Sequence, residues 1–187
     1  RRCVSIGFLQ GHKMPFSLTT SRLILRDFTP DDRDTFIAQC QHPHYQRFYH
    51  PSDHTQDALT TRVAEFINEA TMTPRSRYHL AIVEKASQRQ IGVAGMRLED
   101  NANAAIGFGL NVNEHGKGYA FEAMTTLLEF GIASYGIKRI YADTLVENRP
   151  AVMLCQRLGL IEFELSDQPD ILRGTNVQPV RLFGSVL

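Results

Sequence analysis

Apolar positions along the chain keep two different spacings, and the switches between them mark out the elements. Between Leu18 and Phe28, Leu23 and Leu25 fall on one side and Arg22, Ile24 and Arg26 on the other, which predicts a strand. "TPDD" follows, with Thr29 as N-cap, Pro30 at the first helical position and Asp32 at the capping-box position, predicting a short helix to about Gln41. Residues 42–54 hold prolines at Pro43 and Pro51, which break any helical register, and are expected to form a loop. Leu59, Val63, Phe66, Ile67 and Ala70 then make a helical stripe. Two strand-like runs, 77–85 and 90–100, are joined by "ASQR" and predict a hairpin, and 104–112 is a third run. A second long stripe comprises Ala120, Ala123, Met124, Leu127, Leu128 and Gly131. Residues 137–147 read as a strand, and "NRPAVMLCQRLG" as a short helix between Asn148 and Gly159. "LIEFEL" alternates Ile161, Phe163 and Leu165 against Glu162 and Glu164, and 177–187 closes as a Pro-interrupted strand.

The resulting order, β-α-α-β-β-β-α-β-α-β-β, points to an α+β fold with one central sheet rather than a doubly wound parallel one. At 187 residues the chain is read as a single domain over 14–187. Residues 1–13 precede Met14 and the ordered-looking "PFSLTTSRLIL", and are set aside as an N-terminal extension or cloning remnant. Lysine plus arginine equal aspartate plus glutamate at 20 each, which argues against a general nucleic-acid binder. Cys3, Cys40 and Cys155 form no close pair and suit a reducing, cytoplasmic setting. No run approaches the ~18 apolar residues of a membrane span, so no membrane partner is expected.

Candidate chemistry concentrates in "NEHGKGYAFEAM", residues 113–124. A helix start leaves about four backbone N–H groups without intrahelical acceptors and attracts anions. Gly116 and Gly118 let a phosphate approach those groups, Lys117 adds charge, and Ala120 keeps the first turn small. A glycine-rich turn that binds nothing is the alternative. Neither a Walker loop nor a dinucleotide fingerprint fits, because Lys117 precedes Gly118 and the third glycine is missing.

"HGKGYA" resembles the Gln/Arg-x-x-Gly-x-Gly/Ala loop of GCN5-related N-acetyltransferases (GNAT), which binds the pyrophosphate of coenzyme A. "TSRLILRDFTPDD", "QIGVAGMRL", "IGFGLNVNEHGKGYAFEA" and "VENRPAVMLCQRLGL" are similar, in order and spacing, to the RimJ/RimL-like branch, which acetylates protein N-termini and related amines. The resemblance covers about residues 18–165. It implies a mostly antiparallel mixed sheet flanked by helices, splayed between the fourth and fifth strands at 104–112 and 137–147. Acetyl-CoA would lie in that splay. Backbone groups of Leu110, Asn111 and Val112 would pair with the pantetheine arm. The N–H groups of His115, Gly116, Lys117, Gly118, Tyr119 and Ala120 would hold the pyrophosphate. Asn148 would touch the pantetheine amide, or act as a plain N-cap, and Arg157 would border the nucleotide.

The chain departs from the family pattern at His115 (usually Gln or Arg), Ala105 (often Glu), Ala151 (Ser) and Cys155 (a Tyr proton donor in other branches). Asp143 is the candidate base, with Glu147 and Glu99 as further carboxylates, and Cys155 the candidate acid. Two functions follow: an N-acetyltransferase acting on a primary amine (a protein N-terminus or a small molecule), as monomer or homodimer, or an acyl-CoA-binding module that lost its catalytic groups. His42, His44, His50 and His54 lack metal-ligand spacing, so no metal site is expected. Their segment is instead expected to cover the acceptor site as a lid.

Overall fold

The structure, a computed structural model, describes residues 8–9, 12–13, 15–166 and 180–186, with the backbone alone at 8–9, 12–13, 163–166 and 180–186. The reading of residues 1–13 as an appendage falls largely outside this range. Its described part is a short antiparallel ribbon, β1 (Phe8–Leu9) with β2 (His12–Lys13).

The strand expected across 18–28 is two strands, β3 (Ser17–Thr19) and β4 (Leu23–Asp27), folded back on each other with Leu18 opposite Leu25. The reason is local: the Thr20 hydroxyl accepts from the N–H groups of Arg22 (3.2 Å) and Leu23 (2.8 Å), which stabilises a tight turn. The "TPDD" start forms as expected. Asp32 accepts from the Thr29 N–H at 2.8 Å, although the first turn, Pro30–Asp32, is 3₁₀ and α1 proper is Arg33–Gln41.

The loop expected at 42–54 is instead α2 (Pro43–Gln46) and a 3₁₀ turn, Pro51–His54. Each proline starts a helical turn, where its missing N–H costs nothing. The preceding histidine caps it: the His42 ring accepts from the His44 N–H at 3.1 Å, and the His50 ring from the Ser52 N–H at 3.3 Å.

The remaining elements follow the periodicity closely. They are α3 (Gln56–Thr71), β5 (Arg77–Glu84), β6 (Gln90–Glu99), β7 (Asn103–Leu110) and α4 (Tyr119–Tyr135). Then come β8 (Arg139–Leu145), α5 (Arg149–Arg157), β9 (Ile161–Ser166) and β10 (Val180–Val186). The expected strand start at Val177 and the side-chain alternation of Phe163 and Leu165 lie outside the described residues.

The main sheet runs β3-β4-β5-β6-β7-β8-β10-β9, antiparallel throughout except for β7 with β8. Alternation sends Leu80 and Ile82 to one face with Leu23, Leu25 and α4, and Ala81 and Val83 to the other with α1 and α3. No described helix is long and apolar enough to cross a membrane.

The feature that positions the site is an interruption. β7 and β8 pair only at Asn103–Arg139, Ala104–Ile140 and Ala105–Tyr141, and beyond that point they diverge. β8 keeps its other edge satisfied by β10 through Leu145. The free edges of β7 after Ala105 and of β8 after Tyr141 thus face a wedge of open space. This is the splay expected between the fourth and fifth strands.

Gly92 lies where β6 passes the end of β7. A Cβ there would stand 2.4 Å from the Gly109 carbonyl oxygen and 2.6 Å from Leu110 Cδ2. Gly92→Ala is therefore expected to push β6 from β7 and destabilise the fold by about 2 kcal/mol. The check is a lower urea midpoint at an unchanged slope.

Candidate active site

The site begins where β7 ends. Leu110 is the last strand residue; Asn111 already leads into a 3₁₀ turn, Val112–Glu114. The Asn111 N–H donates to the Ile91 carbonyl at 2.9 Å, and its carbonyl accepts from Glu114. The His115 N–H donates to Val112 at 3.3 Å, so it differs from the loop amides expected to face a phosphate. After His115 the chain enters left-handed backbone at Gly116 (φ 76°) and Gly118 (φ 80°), which glycine adopts without steric cost. The first helical bond of α4 is Glu122 N–H to Gly118 carbonyl at 3.1 Å, so the amides of Gly118, Tyr119, Ala120 and Phe121 precede any intrahelical acceptor. A Cβ at Gly116 would meet nothing within 4 Å.

These amides open on a cavity of about 420 Å³. Its walls include Gly109, Leu110, His115, Gly116, Gly118, Tyr119 and Ala120 on one side and Asn148, Ala151 and Arg157 of the α5 region on the other. Asn148 also accepts from the Ala151 N–H at 3.4 Å, so it is an N-cap that faces the cavity. Arg157 lies 4.5 Å over the Phe121 ring. Asn111, Val112 and Lys117 are not part of the wall. Lys117 turns to Glu114 at 2.8 Å, a hydrogen bond that raises its pKa.

The third wall is the segment expected to be a lid. His44, Tyr45, Phe48 and Tyr49 all line the cavity. Tyr45 stacks on Tyr49 (4.8 Å, 11°), and Tyr45 and Gln39 pack directly on Gly109, where a Cβ would lie 3.1 Å from each. Phe48, Tyr49, Phe108, Asn148 and Ala151 line a second cavity too, of about 100 Å³, which reaches into the splay past Ile106 and Gly107 to Asp143, Thr144 and Cys155. The structure therefore brings Asp143 and Cys155 together. Glu99 and Glu147 stand elsewhere: Glu99 pairs with Arg97 at 2.7 Å at the far end of β6, and Glu147 lies beyond the end of β8. Burial, and then the charge of Asp143, push the Cys155 thiol up to about 11.

Residues 22–161 match the family described as "Acetyltransferase (GNAT) domain". The chain belongs to the GNAT acetyltransferase family. It is 28% identical over 145 residues to an uncharacterized N-acetyltransferase, p20, of Bacillus licheniformis, covering 76% of this chain and 81% of that protein. Its fold is that of RimL, a ribosomal L7/L12 alpha-N-protein acetyltransferase, with TM-score 0.78 at 16% identity over 96% of this chain and 99% of that one. A microcin C7 self-immunity acetyltransferase, MccE, solved with acetyl-CoA and AMP, superimposes with TM-score 0.75 at 18% identity, over 90% and 94% of the two chains.

Around its glycine loop this GNAT domain has a brace that no local motif announces. Glu122 in the first turn of α4 accepts from Thr20 Oγ1 (2.5 Å), Ser21 Oγ (2.9 Å), the Arg22 N–H (2.9 Å) and Arg22 Nε (2.7 Å). Arg22 also donates from Nη1 to the Lys117 carbonyl at 2.9 Å and lies 4.5 Å over the Tyr119 ring. The Tyr119 hydroxyl donates to Glu84 at 2.5 Å. The β3–β4 turn thus holds the GNAT loop from behind. Thr20, Ser21 and Arg22 lie about a hundred residues from Glu122 in sequence, and only the "TSR" string hints at them.

Proposed function

We propose that this GNAT acetyltransferase moves an acetyl group from acetyl-CoA to a primary amine, a protein N-terminus or a small amine, with both substrates bound together. The observation that carries the reading is the pair of adjoining cavities. The larger has helix-start amides and room for a phosphate at Gly116; the smaller ends at a carboxylate, inside the gap between β7 and β8.

Coenzyme A fits these residues: the α4 amides would donate to its pyrophosphate beside Gly116, and Leu110 and Asn148 would hold its pantetheine arm. Bound there, it supplies an activated acetyl thioester. The chain's own contribution is position and proton management. Phe108 and Tyr49, shared by both cavities, form an aromatic wall at their junction. As the acceptor nitrogen bonds to the acetyl carbon and the carbon–sulfur bond breaks, Asp143 takes the amine's proton, directly or through water. Cys155 stays a thiol, because burial and the charge of Asp143 push its pKa up to about 11 and make it a poor proton donor. Cys155 lines the smaller cavity as part of its apolar wall, and a coenzyme thiolate released there would take its proton from solvent.

Asp143→Asn is expected to lower kcat about 100-fold while leaving the KM for acetyl-CoA within about twofold. The assay is thiol release with a panel of N-terminal peptides and small amines. A second reading, a non-catalytic acyl-CoA-binding module, is favoured by the methyl groups of Ala105 and Ala151 where relatives carry Glu and Ser. Thiol release no faster than background hydrolysis across the panel would select it.

A further inference from the structure

We propose that His44, on α2, is a phosphate-binding residue of the cofactor groove, so that the lid segment closes on coenzyme A as well as on the acceptor. The inference rests on the acetyl-CoA reading above and extends it to a residue outside the glycine loop.

The His44 and His115 rings meet edge to face with centroids 5.6 Å apart, across the mouth of the larger cavity, beside Gly116 and Gly118. Arg47 brings a guanidinium nitrogen to 3.3 Å from His44 Nε2, and His42 stands at the start of the same short helix. From the loop, the groups nearby are His115, Glu114 and Lys117. Glu114 is already held by Lys117 at 2.8 Å and faces Arg89 at 3.8 Å. Among the described residues, none of His42, His44, Arg47 and His115 takes part in an ion pair. His44 and His115 therefore come together from two separate elements in the wall of the larger cavity, with Arg47 against His44; Glu114 shares that wall but pairs with Lys117, and among the described residues no carboxylate pairs with either ring.

The chemistry that completes such a wall is a phosphate oxyanion. Without it, burial, then the neighbouring Arg47, His115 and His42, hold the His44 pKa below its ordinary value. A phosphate in the cavity beside the His44 ring would reverse that balance by favouring the imidazolium, which donates a charge-assisted hydrogen bond. By linkage, an anion that raises the His44 pKa binds more tightly to the protonated protein, so affinity rises as pH falls. Coenzyme A carries a pyrophosphate and a 3′-phosphate, either of which supplies the same oxyanion chemistry.

The test is the dissociation constant of acetyl-CoA, by calorimetry, for the wild type, His44→Phe and His44→Ala between about pH 6 and about pH 8.5. If binding raises the His44 pKa by about one unit, the wild type binds up to about tenfold more tightly at the acid end. His44→Phe, which keeps the ring and loses the proton, is expected to match the wild type at the alkaline end and to lose most of that gain. Acetyl-dephospho-coenzyme A separates the two phosphates: a retained His44 effect assigns it to the pyrophosphate, and a lost one to the 3′-phosphate. Wild type and both variants tracking one another at every pH would overturn the proposal and leave the acetyl-CoA site standing. No binding by the wild type at any pH would remove both. The thermal midpoint of each variant confirms that it is folded.

Discussion

Acetyl-CoA is expected to raise the thermal midpoint of the wild type, and Gly118→Trp to abolish that rise while the protein still unfolds cooperatively. A ligand at 100-fold excess over its dissociation constant adds ~2.7 kcal/mol, which for a domain of this size raises the midpoint by roughly 5 to 10 °C. Gly118 is the residue before α4, at φ 80°, and it lines the larger cavity. An indole there must occupy the space above the helix-start amides or force the loop off Arg22, whose Nη2 lies 3.5 Å from the position of an added Cβ. Both outcomes deny a phosphate its donors. Gly118→Ala separates backbone strain from blockage. It costs about 1 kcal/mol for the left-handed conformation, but its methyl leaves the amides open, so most of the ligand shift is retained. A shift that survives in Gly118→Trp would mean that the cofactor sits elsewhere.

The second large effect is expected from Glu122→Gln, through the brace rather than the groove. The carboxylate receives four hydrogen bonds from Thr20, Ser21 and Arg22, and Arg22 Nη2 approaches it to 2.6 Å. Its side chain is 17% exposed, so water does not readily replace these partners. Glutamine keeps the shape but turns an NH₂ toward either the hydroxyl donors or the guanidinium. The expected loss is about 2 kcal/mol, read as a fall in the urea midpoint. Arg22 would also loosen its hold on the Lys117 carbonyl, and acetyl-CoA would bind several-fold more weakly.

The same residue gives a pH dependence of known sign. Burial alone would raise the Glu122 pKa, but the bonds from Thr20, Arg22 and Ser21 outweigh it and hold the carboxyl down at about 2, against an ordinary 4.5. A carboxyl depressed in the native state stabilises fully above its unfolded value, and that stability is lost as pH falls toward the native value. The gap between wild type and Glu122→Gln should therefore be whole at pH 7 and much smaller at about pH 3. An equal gap at both would show that the brace acts by shape alone.

Much of this protein is legible in one dimension because the signals involved are short-range. The stripes from Leu59 to Ala70 and from Ala120 to Gly131 became α3 and α4 because the 3.6-residue period decides which side chains share a face. Thr29 with Asp32, Asn148 with Ala151 and the left-handed Gly159 are caps whose partners lie within a few residues. The glycine loop belongs to the same class, since the unpaired amides of a helix start follow from the helix itself. The local readings that failed did so where one side chain redirected the backbone. Thr20 folded the first strand into a hairpin, and His42 and His50 made Pro43 and Pro51 starts of helical turns rather than breaks.

What only the tertiary structure decided is where distant pieces meet. β7 and β8 part after Ala105 and Tyr141, while β10, from residues 180–186, pairs with the other edge of β8 through Leu145. No residue in either strand encodes that gap alone. The seating of Tyr45 on Gly109, the meeting of His44 with His115, and the Arg22–Glu122 brace likewise join segments far apart in sequence. The sequence by itself determined most of the elements and the glycine-flanked start of α4, because backbone hydrogen bonding and side-chain periodicity act between near neighbours, while the GNAT family was legible through the resemblance of its motifs. The wedge, the aromatic wall of Tyr45, Phe48 and Tyr49, and the brace were decided by the fold, because each exists only once non-local surfaces have been packed and their remaining polar groups have found partners.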